Sequence, residues 1–272
     1  MPSKVGVKGE RGFIIPIGGR EDKFASPTVL KTFVELSGGK DAKIAVIPTA
    51  SRLEDTGDEY VKIFNDLGVE NVYNLRIENR LDATTNQSYI DTLSQCTGIF
   101  MTGGNQLLLS TTLGGTPIAQ MIRRLNAKGV HVAGTSAGAA FMSGFMIAGG
   151  APGLMPRCNM VNLAPGLGLT NRLLVDQHFS QRDRLGRLLS ALSYNPYMVG
   201  VGVDEDTGAF LNADGIIEVV GSGMITIVDF SHLKHSSMHC VSDNSPISLV
   251  DVRMHMLTEG QKYDTNTSLV IF

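Results

Sequence analysis

Cysteine is scarce in this sequence: Cys96, Cys158 and Cys240 make three, an odd number at wide spacings. They suggest neither a disulfide framework nor a zinc ribbon, and a reducing compartment is the simpler reading. No apolar run is long enough to cross a bilayer. The polar start MPSKVGVKGERG has no signal-peptide core. Charge of one sign is not in excess either: 23 basic residues stand against 26 acidic ones, a net of −3. That balance asks for neither nucleic acid nor an anionic membrane as partner. Linkers, low-complexity segments and internal repeats are missing too. The expectation is a soluble cytoplasmic protein with one α/β domain over 13–272, after a flexible extension over 1–12.

Hydrophobic residues fill 43% of the 272 positions, enough for a large core. Short apolar runs recur as GFIIPI (12–17), KIAVIP (43–48), NVYNLRI (71–77), GIFMTGG (98–104) and GVHVAGT (129–135). Amphipathic stretches lie between them. In the stretch 58–67, Tyr60, Val61, Phe64 and Leu67 share one helical face. Apolar strands alternating with helices predict a mostly parallel sheet covered on both sides. In such sheets ligand sites form beyond the carboxyl ends of the strands. After His178, QRDRLGRLLSALS reads as a helix carrying Arg182, Arg184 and Arg187. Strands follow, with a hairpin turn at Asn212, Ala213, Asp214 and Gly215.

The run HVAGTSAGAAFM (131–142) places G-x-S-x-G between a strand and a small-residue helix. At such an elbow the serine is exposed, and its neighbours must be small because strand and helix pack closely. Ser136 is the candidate nucleophile, with a helix N-cap as the plain alternative. A phosphate cradle is the weaker alternative, because no G-x-x-x-x-G-K-[ST] exists. The amide of Ala137 and one from the Gly103-Gly104-Asn105 turn, Gly104 among them, are positioned to hold an oxyanion.

A serine nucleophile needs a base and a group that orients the base. His131 lies in the strand feeding the elbow and reads as structural. His178 ends an apolar run and precedes a basic segment, the position a base would need. No aspartate or glutamate lies between Ser136 and Asp176. The orienting acid must therefore come from Asp176 onward or from before the serine. The run VGVGVDEDTG (199–208) ends in Asp204, Glu205 and Asp206. Alternation puts Glu205 in register with Val199, Val201 and Val203, so Glu205 is favoured and Asp204 is next. An α/β-hydrolase order, Ser…acid…His, would use His239 or His255 instead. Arg182, Arg184 and Arg187 suit carboxylate binding, with a solvated helix face as the alternative. His232, His235, His239 and Cys240 lack a matching cysteine pair, so no metal site is read there. A serine mechanism calls for no metal or cofactor.

Six stretches then occur in order: IGGREDK (17–23), IPTASR (47–52), GIFMTGGNQ (98–106), AGTSAGAA (133–140), VDQHFSQRDRLGRL (175–188) and GVDEDTGA (202–209). Together they closely resemble the cyanophycinase family, serine peptidases related to dipeptidase E. The resemblance runs from about residue 13 to about residue 258. It implies a flavodoxin-like, class I glutamine amidotransferase-like three-layer sandwich and a homodimer. It implies hydrolysis of cyanophycin, a poly-aspartate with arginine on each β-carboxyl, to β-Asp-Arg dipeptides. It maps the triad to Ser136, His178 and Glu205. It also places Gln106, Asp176, Gln177 and the three arginines at the substrate site, although Asp176 and Gln177 could instead brace the loop. Dipeptidase E proper, acting on small aspartyl peptides, is the poorer match, since its acid falls between serine and histidine. A catalytically silent binding module using the elbow as a turn is the third reading.

Overall fold

The computed structural model describes residues 2–7 and 9–272. Strands β1 (Ile14–Ile17), β2 (Lys43–Ile47), β3 (Asn71–Asn74), β4 (Gly98–Met101) and β5 (His131–Thr135) pair in parallel in the order β1-β5-β4-β2-β3. Their connections carry α1 (Thr28–Leu36), α2 (Thr56–Asp66), α3 (Arg80–Thr85), α4 (Gln87–Ser94), α5 (Gln106–Leu113) and α6 (Pro117–Asn126). Successive strand residues face opposite sides. Ile15, Ile17, Ile44, Val46 and Phe100 therefore meet Leu30 and Phe33 of α1 and Phe64 of α2. Ile14, Ile47, Ile99, Met101 and Val132 meet Leu109 and Leu113 of α5 and Ile122 of α6. Both faces being dry, each large buried side chain contributes about 1.5–3 kcal/mol.

The chain continues through α7 (Ala137–Phe141), β6 (Phe145–Gly150), β7 (Val161–Pro165), β8 (Leu173–Gln177), α8 (Leu185–Tyr194), β9 (Val199–Val203), β10 (Thr207–Leu211), β11 (Ile216–Gly221) and β12 (Met224–Asp229). It ends with β13 (His235–Ser236), β14 (Leu249–Val250), β15 (Arg253–Thr258), β16 (Lys262–Asp264) and β17 (Leu269–Ile271). Strands β10, β11, β16 and β17 extend the first sheet from β1 in antiparallel fashion, to nine strands. The expected hairpin at Asn212–Gly215 joins β10 to β11.

The structure differs from a single sheet. Strands β15, β12, β9 and β8 form a second, four-stranded sheet. In it β8 and β9 are parallel across α8, and the remaining pairs are antiparallel. Val175, Val201, Val203, Ile225 and Ile227 pack into the core below the first sheet. Leu174 and Val228 face the other way, against Leu188 and Leu192 of α8. The two sheets touch where β1 and β9 end. A Cβ on Gly18 would lie 1.8 Å from the carbonyl oxygen of Asp204, so only glycine fits there. Among the described residues, no helix is long and apolar enough to cross a membrane.

Candidate active site

Ser136 sits between β5 and α7 with φ 52° and ψ −109°, a backbone state that L-residues avoid. The glycines on either side explain how the turn closes. A Cβ on Gly138 would stand 2.3 Å from the Met101 carbonyl oxygen, and one on Gly134 2.7 Å from the carbonyl carbon of Gly138. Helix α7 therefore rests directly on the β4 and β5 backbones, and the serine is pushed out at its start. The backbone N–H of Ser136 donates to the carbonyl of Ile17 (2.9 Å), which ties the elbow to β1.

β8 delivers His178 to the same place, also with positive φ (46°). Its backbone N–H donates to the Gly18 carbonyl (2.8 Å). A Cβ on Gly19 would overlap the His178 ring at 2.4 Å, so the Gly18-Gly19 turn closes over the imidazole. His178 Nε2 lies 3.0 Å from Ser136 Oγ, and Nδ1 lies 2.7 Å from Glu205 Oε1. With the Glu205 carboxylate accepting at Nδ1–H, Nε2 is left to accept from the serine hydroxyl. Burial pushes the His178 imidazole below its ordinary value; Arg182 and Arg184 push the same way, and Glu205 opposes them. Glu205 is itself held in place, its backbone N–H donating to Gln181 Oε1 (3.1 Å).

Asp204, the second choice for the acid, points elsewhere. It is buried, and its Oδ1 accepts the Ser180 backbone N–H at 2.9 Å. Asp206 accepts from the Asp22 backbone N–H (2.7 Å) and the Ser222 hydroxyl (2.6 Å). Of the three consecutive acids, one therefore meets the histidine and two pin loops around it. The alternative histidines are outside this constellation: His239 lies beyond β13, and His255 packs on Tyr263 within β15.

The remaining candidates divide. Gln177 is buried with Oε1 3.4 Å from Ser136 Oγ. Gln106 opens α5 and donates Nε2 to the carbonyls of Ile147 (2.9 Å) and Ala148 (3.2 Å). Gly104 has φ 139° and lies against the Ala50 carbonyl. A Cβ on its neighbour Gly103 would lie 3.9 Å from Ser136 Oγ. The turn thus borders the serine, and Ala137 starts α7, where the first amides have no intrahelical acceptor.

The arginines depart from a solvated helix face. Arg182 closes a 3₁₀ turn (Ser180–Arg182) and is exposed. Arg184 precedes α8 and Arg187 lies inside it, and both are buried. Arg187 grips both oxygens of buried Asp176, with Nε 2.5 Å from Oδ2. Arg184 reaches Asp176 Oδ1 (3.4 Å) and the Gln177 carbonyl. Burial lowers the Arg184 guanidinium to about 10. Asp176, Arg184 and Arg187 thus form a buried ion-pair cluster beside Gln177 and His178. The two cations and the carboxylate between them depend on one another, because removing Asp176 would leave uncompensated buried charge at a cost of about 3–5 kcal/mol.

Sequence reasoning missed three contributors. Arg20, mostly exposed and with φ 47°, places Nε 3.6 Å from Glu205 Oε1. Glu21 is buried directly beneath the elbow, where it accepts from the Tyr60 hydroxyl (2.5 Å) and the Thr135 hydroxyl (2.6 Å). Gln181 is the third. The IGGREDK stretch held the first two, but nothing local says which side chain turns toward residues far along the chain. Among the described residues no group of three or more histidine, cysteine, aspartate or glutamate side chains is placed to hold a metal ion.

The model of peptidase family S51 matches residues 13–219. A cyanophycinase from Synechococcus elongatus is 44% identical over 264 residues, covering 96% of this chain and 82% of the relative. The cyanophycinase of Geminocystis herdmanii (strain PCC 6308) is 43% identical over 260 residues, covering 94% and 95%. A crystal structure of a peptidase from an acI-B1 Actinobacterium superposes with a TM-score of 0.67 at 20% identity, covering 94% of this chain and 97% of that one.

Proposed function

The chain belongs to peptidase family S51, and from that membership we propose that it is a serine-type exopeptidase that hydrolyses the poly-aspartate backbone of cyanophycin to β-Asp-Arg dipeptides. The observation that carries this reading is the relay from Ser136 through His178 to Glu205, 3.0 Å and 2.7 Å, on a strained elbow. His178 Nε2 takes the Ser136 proton as Oγ attacks the backbone carbonyl. Glu205 fixes the tautomer and stabilises the imidazolium that forms. The N–H groups of Ala137 and Gly104 receive the oxyanion. His178 then returns the proton to the leaving amine. Water, activated by the same histidine, releases the acyl group.

Gln177 and Gln106 line the acyl pocket in this reading, and Arg182, exposed and without an ion pair among the described residues, is the one of the three arginines that meets a substrate carboxylate. Asp176, Arg184 and Arg187 serve by holding β8 in place. The fold is read as flavodoxin-like, in the manner of class I glutamine amidotransferases. Residues 13–272 form one domain that works as a homodimer in the cytoplasm.

The test is incubation of wild-type and Ser136→Ala protein with cyanophycin and, separately, with free aspartyl dipeptides. The expected outcome is β-Asp-Arg release by wild type and a loss of at least about 10³-fold in the variant. Cleavage of dipeptides alone moves the substrate to small aspartyl peptides. Full activity of the variant removes Ser136 from the chemistry and favours a silent binding module.

A further inference from the structure

A cavity of about 560 Å³ opens between the loops that follow β2 and β3 and the start of α5. The loop after β2 supplies Ser51, Arg52 and Glu54, the segment after β3 supplies Arg76 and Glu78, and α5 supplies Leu108. These are carboxyl ends of parallel strands, where α/β sheets bind ligands. The walls are built rather than loose. The Thr49 hydroxyl donates to the Ile77 carbonyl (3.0 Å), which fixes the spacing of the two loops. Ser51 Oγ lies 2.7 Å from Thr56 Oγ1 and accepts the Leu53 backbone N–H (3.1 Å).

A single tight turn stands between the cavity wall and the serine. A Cβ on Gly104 would lie 2.9 Å from the Ser51 backbone nitrogen, and one on Gly103 3.9 Å from Ser136 Oγ. The cavity's charges are balanced, two guanidinium groups against two carboxylates. Arg76 is paired with Asp58. Arg52, Glu54 and Glu78 are exposed and have no ion-pair partner among the described residues. A lining with unpaired charges of both signs suits a ligand that carries both, and each unit of cyanophycin carries one guanidinium and one α-carboxylate.

We propose that this cavity is a remote subsite for the polymer, holding a β-Asp-Arg unit beyond the two that flank the scissile bond. Glu54 and Glu78 accept its guanidinium, whose planar fork matches carboxylates. Arg52 donates to its α-carboxylate. The turn residues Gly103 and Gly104 separate the cavity from Ser136, so an extended chain at about 3.3–3.6 Å per residue must pass the flanking unit before entering it. This inference rests on the cyanophycin reading.

The test compares kcat/KM on soluble cyanophycin with kcat/KM on the two-unit fragment, for wild type and for Glu54→Gln/Glu78→Gln. The expected result is a polymer-to-fragment ratio lowered about three- to tenfold in the variant at low salt, carried by KM. In wild type the ratio itself should fall as added salt screens the exposed charges. An unchanged ratio in the variant, with wild type cleaving both substrates, overturns the subsite and leaves the cyanophycin reading standing. Wild-type protein that leaves cyanophycin intact overturns both. Exposed amide-for-carboxylate exchanges leave the core untouched, and a matching far-UV spectrum separates misfolding from lost binding.

Discussion

At the scale of single residues, three neighbouring acids do three different jobs because each backbone position aims its side chain differently. Glu205 meets His178 Nδ1, whereas Asp204 is spent on the Ser180 amide. Glu205→Gln should therefore lower kcat by about 10³- to 10⁴-fold, as the wrong tautomer becomes favoured. Asp204→Asn keeps an acceptor for Ser180 and should lose far less. Steady-state kinetics on one substrate decides it, and the reverse order would move the acid by one position. The relay was legible in the sequence because all three members stand at or just past strand ends and because the chain between Ser136 and Asp176 has no acid. Arg20 and Gln181 were not legible. Their approach to Glu205 is long-range and leaves no periodic trace.

Elements were legible where burial writes a pattern. Four of the five parallel strands, β1, β2, β4 and β5, are dry on both faces and appear as mostly apolar runs, whereas edge strand β3 is partly exposed and reads NVYN. The second sheet was not separable from the first, since β8 and β9 carry the same signature and pairing partners are not encoded locally. The ion pairs of the arginine helix were not legible for a related reason. Arg184 and Arg187 suit a carboxylate, but only the fold shows that Asp176, on another element, is the one they meet. The tightest element contact is α7 on β4. Gly138→Ala would drive a methyl into the Met101 carbonyl, and backbone there cannot rotate away. We expect a cost of about 3 kcal/mol or more. That corresponds to a melting point lowered by roughly 6–12 °C, together with lost activity as the elbow shifts. A variant that melts with wild type would mean that α7 slides freely.

At the scale of the molecule, the site lies where two sheets abut, and this burial governs its response to pH. The imidazolium of His178 is disfavoured by desolvation, with Arg182 and Arg184 adding to the effect. A histidine held below its ordinary value stays an unprotonated base at lower pH. The acid limb of kcat/KM should accordingly fall below about 6.5, the free histidine value. The same group makes a contribution to stability that is complete above its unfolded value. That contribution is lost as pH drops through the unfolded value and levels off below the folded one. Arg182→Ala removes one opposing cation and should move the acid limb upward. A pH profile of kcat/KM for both proteins checks the limb and its direction of travel; a limb at or above 6.5 in wild type would contradict the burial account.

The close approach of Gly18 to the Asp204 carbonyl has a consequence for how competence is acquired. Ser136 hangs from the nine-stranded sheet, while His178 and Glu205 hang from the four-stranded one. Neither sheet carries a working relay by itself. A nascent chain with both sheets formed but undocked would hold every secondary-structure element and still be inert. The enzyme is thus unable to hydrolyse anything until its two sheets dock, and a single added methyl at Gly18 would be enough to hold them apart.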